Sequence, residues 1–278
     1  MATVPYRGGG VAPVPYRGAF GDPRPSEFGP LALPPDPMPS RQGLRPLKAW
    51  RYVGVHGPEV MLCAAMVRIG PARQSFWAVW DREHLCEQTH FGRGEITMTP
   101  GQLIVAGRID LTLEEAAGVE TVCPTGDSYA WTRKQGGVAA RGTVMGRNVD
   151  ARAVIDDTAA YYERHTAWSW SAGVGRAQDG RELAWNLVSG VNDPPTNSER
   201  TVWIDGEPYE APPCTFASDL SAVNGLRFHS EAVRERGENL LLIRSRYRQP
   251  FGTFSGQLPG GTQLADGYGV MEAHDVWW

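Results

Sequence analysis

The sequence predicts an all-β protein, and three observations carry that expectation. Short runs rich in Val, Ile, Trp and Tyr recur, Gly, Pro or charged turns separate them at intervals of roughly ten residues, and helix-period stretches are scarce. The 33 glycines and 22 prolines fit the many tight turns of barrels or sandwiches better than a doubly wound α/β fold.

Residues 1–45 are rich in Pro, Gly and Arg and repeat VPYRG at 4–8 and 14–18. Such a composition forms no core of its own, so it predicts an extended arm without regular structure, either mobile or laid across the body. From Leu47 onward AWRYVGV, VMLCAAMVRI, SFWAVWD, QLIVAG and RIDLTL read as strands. DDTAAYYE at 156–163, with acids at its front, is the best helical candidate, and it is short. Strands resume with TAWSWSAGVG, ELAWNLVSG, TVWIDG, LRFHSEAVRE and NLLLIRSRY. A boundary near Asp150 divides the folded part into two β-rich halves, 46–150 and 151–278. GGG at 8–10 and QLPGGTQ at 257–263 read as turns.

Composition narrows the partners. The chain has 278 residues, 41% hydrophobic and 21% charged, with a net charge of -4. Scattered Lys and Arg give no footprint for nucleic acid or an anionic membrane, so a small apolar or weakly polar molecule is the expected partner. The N-terminus lacks an apolar signal region and no run reaches transmembrane length, which predicts a cytoplasmic protein without membrane insertion. Cys63, Cys86, Cys123 and Cys214 are widely spaced, so they are expected to be reduced and mostly buried, and no dispersed histidine has metal-site spacing. No strand leads into a phosphate-binding glycine motif, so no nucleotide cofactor is expected. The oligomeric state stays open.

Residues 161–193 are the richest in candidate chemistry, because tryptophans, a histidine and amides interleave there as they would around a lined cavity. Strand alternation puts Thr166, Trp168 and Trp170 on one face, with His165 at the strand's start as a candidate acid or base. In AWNLVSGVND, Asn192 and Asp193 read as turn formers. Asn186, flanked by Trp185 and Leu187 and facing away from both, either meets solvent or donates into a cavity. In the last strand, GYGVMEAHDVWW, alternation makes Glu272 and His274 same-face neighbours, close enough for the carboxylate to orient or charge the imidazole. Arg133, Lys134 and Gln135 read as a strand end at a Gly-Gly turn. Asp156 with Asp157, or Glu231 with Glu235, are carboxylate pairs of the type glycosidases use.

The segments PYRGAFG, LKAWRYVGVHGPEVMLCAAMVRIG, SFWAVWDRE, GVETVCPTGDSYAWTRKQGGVAARGTV, RHTAWSWSAGVG, WNLVSGVNDPP, SERTVWIDGEP, YRQPFGTFSG and GYGVMEAHDVWW resemble the bacterial family known as domain of unknown function 2804. That family is in turn distantly similar to carotenoid 1,2-hydratases, AttH-like proteins and Diels–Alder cyclases. The resemblance implies two lipocalin-like antiparallel β domains, partly open barrels around a hydrophobic site, following the N-terminal arm. It also implies that His165, followed by Trp168 and Trp170, and a late carboxylate, Glu272, serve alkene protonation. The leading expectation is a cofactor-independent enzyme that hydrates, isomerises or cyclises an apolar unsaturated molecule. Glu272 or His274 is its proton donor, His165 a second acid or base, and Trp168, Trp170, Trp185, Asn186, Asn192 and Lys134 contact substrate. A lipid carrier without chemistry, or a glycoside-active enzyme, are the alternatives.

Overall fold

The structure, a computed structural model, describes residues 14–92, 94–240 and 243–278, and the first VPYRG repeat and the GGG run lie outside them. The chain begins with β1 (Tyr16–Ala19), a 3-10 turn at Ser26–Phe28 and the short pair β2 (Arg41–Gln42) and β3 (Arg45–Pro46). It continues through β4 (Lys48–His56), β5 (Met61–Ile69), β6 (Ala72–Trp80), β7 (Leu85–Phe91), β8 (Ile96–Thr99), β9 (Gln102–Val105), β10 (Ile109–Leu113), β11 (Val119–Thr125), β12 (Ser128–Val144) and β13 (Arg147–Ala160). The remainder is β14 (His165–Ala177), β15 (Glu182–Ser189), β16 (Thr201–Ile204), β17 (Glu207–Glu210), β18 (Ala222–Val223), β19 (Leu226–Leu240), β20 (Ile243–Gly256) and β21 (Leu264–Trp277).

Besides the two-stranded β2-β3 pair, the strands form two large antiparallel sheets. The first has the order β7-β6-β5-β4-β13-β12-β10-β9-β8, with β11 and then β1 added along the other half of β12. It curls until β8 approaches β5 and β6, a partly open barrel. The second has the order β17-β16-β15-β14-β21-β20-β19-β18. The chain changes sheet at residues 161–164, so the boundary expected near Asp150 falls inside β13.

Alternation assigns each strand two jobs. In the first sheet Val53, Val55, Leu62, Ala64, Trp77 and Val79 fill its own core. Their neighbours Tyr52, Met61, Cys63, Ala65 and Ala78 face the second sheet and pack on its Trp170, Ala172, Val174, Trp203 and Val270. The opposite faces of β15 and β21 send Trp185, Leu187 and Met271 into the second sheet's core with Phe254 and Leu226. The four thiols are free, and three of them are buried.

Three local expectations need correction. Residues 156–163 do not form a helix, because 156–160 close β13, hydrogen-bonded to β12 on one side and β4 on the other. Eight residues of weak helical pattern cannot outweigh two ladders of sheet hydrogen bonds. Residues 131–135 are not a surface turn but the middle of β12, and Gly136-Gly137 forms a bulge where the register with β13 shifts. Gly137 has φ +73, and a Cβ on Gly136 would lie 2.3 Å from the Trp203 ring, so the bulge lets the second sheet approach the first. The arm is also more ordered than expected. Tyr16–Ala19 pairs with β11, and Phe28, Leu33 and Met38 are buried against Val122, Trp131 and Tyr161. Arg17 reaches across to Ser198 O at 2.7 Å and Thr201 Oγ1 at 3.0 Å, and Arg24 pairs with the buried Glu120 at 2.6 Å.

Replacing Gly136 by Ala forces the Trp203 ring out of its seat, so a loss of about 1–3 kcal/mol is expected. Denaturant unfolding of the variant checks it, and an unchanged midpoint would disprove the close-approach role.

Candidate functional site

Between the two sheets lies a cavity of about 200 Å³, mostly apolar in its walls. Two facing cross-strand rows build it. On the first sheet Lys134, Asp156, Tyr52, Ala65, Phe76 and Thr89 lie side by side on β12, β13, β4, β5, β6 and β7. On the second, Val188 and Glu272 flank Trp170 on β15, β21 and β14, while Arg234 and Gln249 pair on β19 and β20. Tyr52 meets Trp170 edge-on at 5.3 Å, joining the rows.

Three near-parallel indoles run along one wall. Trp168 stacks with Trp50 at 6.3 Å and with Trp278 at 6.5 Å. Trp50 donates its Nε1–H to Asp156 Oδ2 at 3.2 Å, and Trp168 donates to Glu272 Oε1 at 2.8 Å. Two carboxylates are thus presented by two stacked rings, and their surroundings differ. The Lys134 ammonium pairs with Asp156 and stands 3.3 Å from Glu199 Oε2. Burial pulls the Lys134 pKa down, but the two acids outweigh it and hold the ammonium above its usual range. Burial raises Glu199 despite Lys134. Asn192, at φ +50 in its turn, donates to Glu199 Oε2 at 3.0 Å and Tyr162 Oη at 2.7 Å.

Glu272 has no such cation. It accepts from Trp168 and, at 2.9 Å, from Gln249 Nε2, and it is almost fully buried. Burial, only partly offset by those donors, raises its pKa to about 7. The Tyr247 hydroxyl lies close to it outside hydrogen-bonding geometry. His274 is lowered to about 4 by burial, so its ring is neutral at neutral pH, and its Nε2 shares a 2.7 Å hydrogen bond with Ser245 Oγ. Glu272 and His274 share the cavity face, as alternation requires. They do not hydrogen-bond to each other, and Trp168 contacts both, with its ring 4.4 Å from the imidazole.

Of the residues named from sequence, Glu272, His274, Trp168, Trp170, Asn192 and Lys134 line the cavity. Three do not. His165 sits on the outer face of β14, half exposed, 2.9 Å from Asp275 and stacked on Trp277 at 4.5 Å. Its position has odd parity relative to Trp168, so a strand cannot aim both rings inward. Trp185 faces the second sheet's core and donates to Ser171 Oγ at 3.1 Å. Asn186 faces the cavity side, lies one layer deeper, and holds Trp170 Nε1 at 2.8 Å while donating to Glu199 O at 3.0 Å. The suggested acid pairs separate as well. Asp157 turns away from Asp156 to Arg51, and Glu231 binds Trp80 and Arg82 while the exposed Glu235 binds Arg248. Sequence reasoning missed Trp50, Asp156 as a wall residue, Glu199, Arg234 and Tyr247. The parity of Trp50 and Tyr52 was readable, but nothing local showed which sheet face would meet the other half.

Two antiparallel β-sheets enclosing a mostly apolar cavity describe the class of protein. The chain belongs to the family described as domain of unknown function (DUF2804), whose sequence profile matches residues 104–278. No curated protein matches it. Solved structures with a similar course include a candidate AttH from Nitrosomonas europaea, at 13% identity over 87% of this chain and 98% of that one, with a TM-score of 0.39. CghA with Sch210972 aligns at 10% identity over 83% and 88%, TM-score 0.40, and kievitone hydratase from Nectria haematococca at 11% over 81% and 88%, TM-score 0.39.

Two outcomes test this electrostatic account. The Glu272 pKa is raised in the fold, so its contribution to stability is fully present below 4.5 and is lost as pH rises through about 7. Glu272→Gln is therefore expected to gain up to about 3 kcal/mol relative to the parent across that window, measured by denaturant unfolding at several pH values. Lys134→Met leaves Asp156 and Glu199 facing each other and is expected to cost about 3–5 kcal/mol, a deficit that shrinks on acidification. A deficit independent of pH would contradict the triad.

Proposed function

We propose that the protein is a proton-transfer enzyme acting on an apolar, unsaturated small molecule held between the two sheets. The observation that carries this reading is Glu272, a carboxyl group in an apolar cavity with no cation beside it among the described residues and a pKa raised to about 7. Such a group keeps its proton at neutral pH and can give it up, which suits a general acid.

Glu272 delivers its proton to one alkene carbon, the π pair forms the new C–H bond, and the neighbouring carbon becomes cationic. The indole faces of Trp50, Trp168 and Trp170 stabilise that charge. Loss of a different proton to the Glu272 carboxylate completes an isomerisation. Attack by water, with its proton returned to Glu272, completes a hydration, and attack by a second alkene closes a ring and moves the charge to a new carbon, which then loses a proton to the Glu272 carboxylate. His274, neutral at neutral pH, is a hydrogen-bonding wall residue in this scheme and not the donor. The apolar walls also suit a lipid carrier, and the carboxyl group separates the two readings, because a carrier has no use for a transferable proton.

The test is deuterium uptake. The compound that co-purifies with the protein is identified by mass spectrometry, and it and a panel of polyenes are incubated with the protein in deuterated water. Carbon-bound deuterium is expected with the parent and with His165→Ala, and at least about a hundredfold less with Glu272→Gln. The parent rate is expected to fall as pH rises through about 7, where Glu272 loses its proton. Recovery of the bound compound without deuterium would favour the carrier.

A further inference from the structure

Arg234 stands in the same cavity and the proton-transfer scheme makes no use of it. Its side chain is 3% exposed, lies with its guanidinium carbon 3.8 Å above the Phe76 ring and 5.1 Å from Tyr247, and forms part of the cavity wall. Its bonds are few for a buried guanidinium. Nε stands 2.9 Å from Glu87 Oε2 without aligned hydrogen-bond geometry, Nη2 reaches Thr89 Oγ1 at 3.4 Å, and Nη1 meets no acceptor among the described residues. Glu87, the one acid paired with it, is 40% exposed, so water screens that attraction.

Two further donors are unmatched beside it. The hydroxyls of Tyr52 and Tyr247 are buried without an aligned hydrogen bond, with the Cys63 thiol near the first and the Glu272 carboxyl near the second, and both phenols are electrostatic neighbours of Arg234. Buried donors are nearly always matched, and a cluster of unmatched ones is a place where something else supplies the acceptor. A guanidinium with an unmatched nitrogen and two phenols facing one cavity suit a negatively charged oxygen, and a carboxylate fits the fork of the guanidinium best.

The spacing adds the rest of the ligand. Arg234 pairs with Gln249 across β19 and β20, Gln249 donates to Glu272, and Glu272 is on β21. Arg234 and Glu272 are therefore two strands apart, roughly 10 Å between backbones. Beyond Glu272 the wall is Trp170, Trp168 and Trp50.

We infer that the ligand of this cavity is an apolar carboxylic acid, its carboxylate held by Arg234 with Tyr52 and Tyr247 and its unsaturated body laid along the indoles past Glu272. The inference rests on the proton-transfer reading and supplies its substrate class. The anchor also explains how a flexible apolar chain would be kept in one register against a single proton donor.

Tryptophan fluorescence titration with octanoate and 1-octanol, above the acid's own pKa, tests it, since the two probes differ at the head group. The parent is expected to bind octanoate about tenfold or more tighter than octanol. Arg234→Gln is expected to abolish that preference while octanol affinity stays within about twofold, and Tyr247→Phe to weaken octanoate alone. Equal affinities in the parent, no binding of octanoate, or a preference that persists in Arg234→Gln would overturn the inference. The parent's ratio decides the matter even if Arg234→Gln fails to fold. Glu272→Gln is expected to keep the octanoate preference, so a carboxylate preference without deuterium uptake removes the enzyme reading alone, and deuterium uptake without the preference removes this one alone.

Discussion

The Lys134 ammonium, sealed between two sheets, is the interaction on which the cavity depends. A buried cation is tolerable only if acids surround it, and here they come from different parts of the chain: Asp156 from β13 of the first sheet and Glu199 from the segment leading into β16 of the second. The triad fixes where the sheets meet. Asn192 and Tyr162 extend it into the connection between the sheets, and the backbone oxygen of Glu199 receives Asn186, which in turn holds Trp170. A buried ion cluster adds little net stability over apolar residues of equal volume, so we read its effect as positional.

That arrangement also separates the fates of the two carboxylates beside the stacked indoles. Asp156 is committed to Lys134, Thr158 and Trp50. Glu272 is held by the next indole of the same stack, Trp168, and its partners are neutral donors. One acid therefore serves the architecture and the other remains available for chemistry. Their difference follows from a single cross-strand pairing, because Lys134 is directly opposite Asp156 and on the other sheet from Glu272.

Much of this was legible in the sequence where period-two alternation applied. The strands from AWRYVGV to RIDLTL followed from their turn-bounded β-rich runs, and the shared faces of Glu272 with His274 and of Trp168 with Trp170 followed from parity. Parity also contradicts the family-derived role of His165, which lies three positions before Trp168 and must face the other way. What parity cannot supply is which face of a strand meets the partner sheet. Trp185 and Trp170 are equally aromatic, yet one enters the core of the second sheet and the other the space between sheets. Gly136-Gly137 makes Lys134 look like a strand end at a turn, and a bulge in a 17-residue strand uses the same residues as a turn. DDTAAYYE suggests a helix because its acids suit a helix start. In the fold those acids alternate, one toward Lys134 and one toward Arg51, which is a strand's use of two adjacent charges.

The cavity's polarity then has a consistent direction. At one end the charges are balanced within the protein, in the triad of Lys134, Asp156 and Glu199. At the other Arg234 is matched by a half-exposed acid, and its neighbours are phenols that keep their protons because burial raises them far above their usual range. Between the ends lie indoles and aliphatic side chains, with the Glu272 carboxyl raised to about 7 among them. An apolar molecule with one charged oxygen group would satisfy the unbalanced end and leave the balanced one undisturbed. Burying that charge beside Glu272 would disfavour ionisation of the carboxyl still further, so binding such a ligand would keep the proton on Glu272 to a still higher pH.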